Sequence, residues 1–95
     1  MAGYVIVQAE INDMDKFRNY LAESPGTIAK YGGRYLARAG RTVQLEGEED
    51  GRRLVIIEFP SLEKASEWYQ SEEYQTVRKL REGAATGSLI AIEGC

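Results

Sequence analysis

Alternation of apolar with polar residues constrains the fold of this chain more than any other feature. Residues 4–11 place a wholly apolar set on one side of an extended segment: Val5, Val7, Ala9 and Ile11. This period of two is typical of a β-strand with one buried face. Similar extended patterns occur at residues 34–39, 53–59 and 88–93, and the chain is therefore expected to form four main strands.

A helical region follows the first strand. Asn12 and Asp13 supply N-cap oxygens, and apolar residues at helical spacing continue to about Glu23. Ser24-Pro25 interrupts this pattern and also matches an N-cap followed by proline at the first helical position. A second short helix, carrying Ile28 and Tyr31, is therefore expected before Gly32-Gly33 ends the region.

The second helical region follows the third strand and begins at Pro60-Ser61. Its inward stripe is Leu62, Ala65, Trp68 and Tyr69, and Ser71 caps a further helix that carries Tyr74, Val77 and Leu80. Between the middle strands, residues 42–46 are expected to form a second extended piece, and residues 47–51 form the polar tip of a hairpin.

The order strand, helix, strand, strand, helix, strand predicts an α+β, ferredoxin-like domain spanning residues 1–95. Right-handed crossovers place both helical regions on one face of a four-stranded antiparallel sheet. The opposite face is then bare and half apolar. Because such a face is seldom left in water, we expect two copies to pack sheet against sheet and bury Ile6, Leu36, Leu54 and Ile56.

The residues that are missing exclude several kinds of site. The 95 residues include no histidine and only one cysteine, Cys95, so haem, zinc and iron-sulfur sites have no ligand set. We therefore expect no metal and no cofactor. A net charge of −3 argues against nucleic acid as a partner. With no apolar run long enough to cross a bilayer and no export signal at the N-terminus, we expect a cytoplasmic protein without membrane association.

Arg38 and Glu58 are the first candidate site residues. A hairpin centred near Glu49 would put them one same-face step apart on the bare face, unless a bulge at Gly40 shifts the register. They would then form either an ion pair that fixes the dimer geometry, or an arginine that grips a carboxylate or enolate beside a carboxylate base.

The aromatic residues of the second helical region are the other candidates. Trp68, Tyr69 and Tyr74 either pack the core or line a pocket for a planar ligand. Arg78 and Arg81 are expected to be solvated, with their stems covering apolar surface.

Three stretches resemble the bacterial domain-of-unknown-function family numbered thirteen-thirty: Tyr31 to Arg38, Glu58 to Ser61, and Trp68-Tyr69 through Ser71 to Tyr74. The resemblance covers nearly the whole chain and implies the dimeric α+β barrel superfamily, whose members include cofactor-free monooxygenases, isomerases, haem enzymes and binding modules. The family often has glycine where Ala39 stands.

Three functions remain open at this point. The first is a homodimer that binds a small acidic or aromatic molecule in an aromatic pocket, with Arg38 as anion anchor. The second is a cofactor-free enzyme, monooxygenase-like or isomerase-like, with Glu58 as base and Arg38 as anchor. The third is a purely structural dimer.

Overall fold

The alternating segments form one antiparallel sheet in the order β2-β3-β1-β4. A computed structural model describes residues 1–95. The strands are β1 (Gly3–Ile11), β2 (Arg34–Arg38), β3 (Arg53–Phe59) and β4 (Ala85–Glu93). The helices are α1 (Met14–Lys30), α2 (Leu62–Gln70) and α3 (Glu72–Arg78), and α3 continues into a 3-10 turn, Lys79–Arg81. The predicted ferredoxin-like order is confirmed.

The core lies between the helices and one face of the sheet. The inward side chains of β1 and β3 meet residues from all three helices in a single buried cluster: Val5, Val55, Ile57, Phe59, Ile28, Ala65, Trp68 and Tyr74. The predicted caps hold the helices in place, since the side chains of Asp13, Ser61 and Ser71 each accept a hydrogen bond from the third residue after them.

Helix α1 does not break at Ser24-Pro25, so the predicted short second helix is wrong. One helix of 17 residues runs through Pro25. Proline removes one backbone donor inside a helix. Here, however, Phe17 before it and Ile28 after it are both buried on the same side. Packing on both sides of the proline therefore keeps the helix continuous.

Strand β2 carries a β-bulge at Leu36. Tyr35 pairs with Ile57, but Ala37, two residues on, pairs with the adjacent Ile56, so that Leu36 is the extra residue. The bulge expected from the sequence was at Gly40, which lies four residues after Leu36. Residues 42–46 form no strand, contrary to the expected second extended piece, and β2 and β3 are joined by an irregular segment.

The face of the sheet away from the helices is partly apolar. Ile6 of β1 is aligned with Ile56 on one neighbouring strand and with Ile90 on the other. The exposed fractions of Ile90 and Ile92 are 62% and 54%, which are high for such large apolar side chains. None of the helices combines the length and the apolar character that crossing a membrane requires.

Candidate functional site

An open groove of about 470 Å³ lies between β4 and the α2–α3 region. Its floor is the helix-facing side of β1 and β4, where Val5, Leu89 and Ala91 contribute aliphatic side chains. One wall is α2, and the rim beyond it carries two arginines. The residues of the helical region that line it are Ala65, Ser66, Trp68, Tyr69, Arg78 and Arg81. A groove of this size fits a small organic molecule.

Arg78 and Arg81 make the rim of the groove positive. The Arg78 Nε atom donates to Gln75 Oε1 at 2.8 Å, and an Arg81 guanidinium nitrogen donates to the Tyr74 hydroxyl at 3.2 Å. Neither guanidinium forms a salt bridge, and no aspartate or glutamate lines the groove. Two positive charges therefore face an apolar cleft without a protein carboxylate to neutralise them.

Arg81 is held by a pair of tyrosines. The hydroxyl oxygens of Tyr20 and Tyr74 lie 2.9 Å apart, and the Arg81 guanidinium carbon lies 5.3 Å from the centre of the Tyr20 ring. Burial, reinforced by Tyr74, raises the pKa of Tyr20 well above its ordinary value, so this phenol stays neutral. Burial lowers the pKa of Arg81, but its contacts with Tyr74 and Tyr20 outweigh that effect and the net shift is upward. The arginine therefore remains charged.

The single tryptophan of the chain, Trp68, lies between the groove and the core. Its side chain is almost fully buried, its Nε1–H donates to Thr27 Oγ1 at 3.0 Å, and its ring lies 4.3 Å from that of Tyr74. Tyr69 is 39% exposed at the groove. Trp68 and Tyr74 thus pack the core, while Tyr69 lies at the surface; that these three residues bind a ligand stays a prediction.

The expected pairing of Arg38 with Glu58 is wrong. Glu58 accepts a hydrogen bond from Arg34, with 2.8 Å between Nε and Oε1, and it lies on the open face of the sheet opposite Tyr4. Arg38 is aligned with Val55, whose side chain points to the helices, and its guanidinium stacks 4.3 Å from the Tyr35 ring centre. The bulge in β2 moves Arg38 to the helix face, so the sheet separates the two candidates.

Arg38 instead lines a small cavity of about 40 Å³ under α1, together with Tyr20 and Ile57. No cluster of three or more carboxylate or thiol side chains is arranged to hold a metal ion.

The groove residues that sequence reasoning did not assign to a site are Arg78 and Arg81, which were expected to be solvated. One signal was available, since Tyr74, Arg78 and Arg81 are spaced four and three residues apart and therefore share one side of a helix. Their positions relative to β4 depend on the tertiary fold, which the spacing does not give.

Solved structures of low sequence identity share this fold. A protein of unknown function from Rhodopseudomonas palustris superposes with a TM-score of 0.77 at 18% identity, covering 99% of this chain and 82% of that one. A dimeric ferredoxin-like protein of unknown function from Jannaschia sp. CCS1 gives 0.71 at 13% identity, covering 99% of this chain and 100% of the other. SnoaB, a cofactor-independent oxygenase from Streptomyces nogalater, gives 0.64 at 8% identity, covering 99% and 93%.

These similarities confirm the ferredoxin-like fold and carry no activity across to this chain. No curated protein matches the sequence. The family model described as Domain of unknown function (DUF1330) matches residues 2–95, and the chain therefore belongs to that family.

Proposed function

We propose that this protein is a homodimer that binds a small acidic or aromatic molecule in the groove between β4 and the α2–α3 region. The observation that carries the proposal is the pair Arg78 and Arg81, which face the apolar cleft without a neutralising carboxylate. We therefore propose Arg81 with Arg78 as the anion anchor, in the role first expected of Arg38, which lies under α1.

The dimer is proposed to form through the open face of the sheet. Ile56, Ile6 and Ile90 form an apolar row across three adjacent strands, and Ile92 extends it on β4. Two such faces can pack on each other and remove these side chains from water. The dimeric ferredoxin-like protein from Jannaschia supports this assembly, because it shares the fold over nearly all of this chain.

Mapping of amide chemical shifts by NMR tests the groove. Indole serves as an aromatic probe and phenylacetate as a probe that is both aromatic and acidic. We expect one or both to shift the amides of Val5, Leu89 and Ala91, which line the floor. Shifts confined to the open face, or no shifts with either probe, would contradict binding in the groove and leave a purely structural dimer as the better description.

A cofactor-free enzyme is the second candidate, and the shared fold with the oxygenase SnoaB favours it. The enzyme hypothesis assigns Glu58 as the base and Arg38 as the anion anchor. The two residues lie on opposite faces of the sheet, so they do not converge on one substrate within a protomer. The Glu58→Gln variant tests the remaining possibility, since an enzyme with this base would lose turnover and keep its substrate affinity.

A further inference from the structure

The groove is polar at one end and apolar at the other. Arg81 also lines a smaller cavity of about 60 Å³ with Ala85 and Thr86, at the start of β4. The opposite end lies near Val5 and its strand partner Ala91, where Ala65 of α2 approaches the sheet. The arginines are thus near one end of the groove, and Val5, Ala65 and Ala91 lie toward the other, where Ser66 follows Ala65.

The hydrogen bonds already made by the two arginines limit what else they can bind. Arg78 uses its Nε–H on Gln75, and Arg81 uses one terminal N–H on Tyr74. Arg81 also contacts the Tyr20 side chain. The N–H groups that remain on the two guanidinium forks can bind a planar carboxylate, which matches that geometry with two oxygens. No charged residue other than these two arginines lines the groove, so a second carboxylate placed at the far end would have no positive partner.

We infer that the ligand is an aromatic monocarboxylate, with its carboxylate at Arg78 and Arg81 and its ring along Leu89 and Ala91. This inference rests on the proposed function and narrows it to one chemical class. The ring replaces water over the aliphatic floor, and the carboxylate supplies the negative charge that the rim lacks. A ligand with only one of these two parts gains only one of the two interactions.

Trp68 provides the measurement, because it is the only tryptophan and its ring borders the groove. The probes are phenylacetate, phenylacetamide and acetate, titrated against Trp68 fluorescence. Phenylacetamide keeps the ring and removes the charge, and acetate keeps the charge and removes the ring. We expect phenylacetate to bind at least about ten-fold more tightly than either, as loss of a charge-assisted hydrogen bond or of a buried ring predicts.

Variants of the two arginines show whether they account for the effect of the ligand's charge on its affinity. Arg78→Gln and Arg81→Gln should each weaken phenylacetate binding by about ten-fold and leave phenylacetamide binding within about two-fold. Arg18→Gln is the matched control, because Arg18 is an exposed arginine of α1 and the net charge changes by the same amount. It should leave both affinities unchanged. Arg81→Gln removes the hydrogen bond to Tyr74 and could impair folding. In that case Arg78→Gln still measures the charge dependence of binding.

The outcomes separate this inference from the proposed function. If phenylacetate and phenylacetamide bind with equal affinity, or if Arg78→Gln and Arg81→Gln both leave phenylacetate binding intact, the carboxylate assignment is overturned while binding in the groove stands. If no probe changes Trp68 fluorescence and neither indole nor phenylacetate shifts the amides of the groove floor, both proposals fail.

Discussion

The phenol oxygens of Tyr20 and Tyr74 lie 2.9 Å apart where α1 meets α3, and the same Tyr74 oxygen accepts a hydrogen bond from Arg81. The Tyr74→Phe variant removes the atom that joins all three side chains. Because it leaves two partly buried polar groups without their partner, we expect the free energy of unfolding to fall by about 1–3 kcal/mol. Urea denaturation measures this.

Tyr69→Phe is the matched control for that variant. The Tyr69 side chain is 39% exposed. Removing its hydroxyl should change the free energy of unfolding by less than about 0.5 kcal/mol. Equal effects of the two substitutions would show that the Tyr20–Tyr74–Arg81 cluster contributes nothing specific to stability.

Stability should decline in alkaline solution because of Tyr20. Burial first, and Tyr74 second, raise the pKa of this phenol above its ordinary value of 10.0. Above about pH 10 the unfolded chain therefore loses this proton while the folded protein keeps it, so the unfolded state binds fewer protons and the free energy of unfolding falls as pH rises. Below about pH 10 this contribution is complete.

The Tyr20→Phe variant provides the comparison for the pH experiment. Unfolding by urea is measured for both proteins between about pH 9 and pH 11. The variant lacks the titrating group, so its stability should decline less steeply than that of the wild type. Parallel pH profiles would show that Tyr20 ionises equally easily in the folded and unfolded states.

Ile90→Lys tests the proposed dimer. The Ile90 side chain is 62% exposed on the open face and is aligned with Ile6 on β1. A lysine there would have to be buried between two sheets, so we expect light scattering at micromolar concentration to give the monomer mass. Met14→Lys, which changes an exposed apolar residue of α1, should keep the dimer mass. A wild-type protein of monomer mass would contradict the assembly directly.

Ala39→Gly should stabilise the protein. Ala39, just after β2, has a φ of 54°, in the left-handed region that disfavours a side chain. Glycine relieves this strain, and we expect the free energy of unfolding to rise by about 0.5–1 kcal/mol. Ala37→Gly, within β2, should lower it by a similar amount, because glycine loses more backbone entropy in a regular strand. A loss of stability with Ala39→Gly would show that the bend carries no strain.

The family often has glycine at the position of Ala39, the residue type that a left-handed bend favours, and local patterns predicted much of the rest of the fold. Strand β3 has the predicted bounds, Arg53–Phe59, because an alternating apolar run lies between a polar tip and a proline. Pro25 shows where such signals fail. A proline is a local stop signal, but packing of Phe17 and Ile28 on both sides of it is a tertiary effect that the local sequence does not report.

The site was harder to predict for a related reason. Trp68, Tyr69 and Tyr74 were recognised by type, whereas Arg78 and Arg81 were expected to be solvated. What distinguishes these arginines is the packing of α2 against β4, which forms an apolar cleft that both guanidinium groups line. The Arg38–Glu58 pairing failed because a single extra residue in β2 changed the register.

The bulge at Leu36 determines which face of the sheet the last residues of β2 occupy. Side chains alternate strictly along a regular strand, so without the bulge Leu36 would take the place of Ala37 opposite Ile56, and Arg38 would lie opposite Leu54 on the open face. The extra residue therefore keeps the positive charge of Arg38 beneath α1 and away from the surface shared with Arg34 and Glu58. A relative of equal length whose second strand paired without a bulge would instead present this arginine to a partner on the open face.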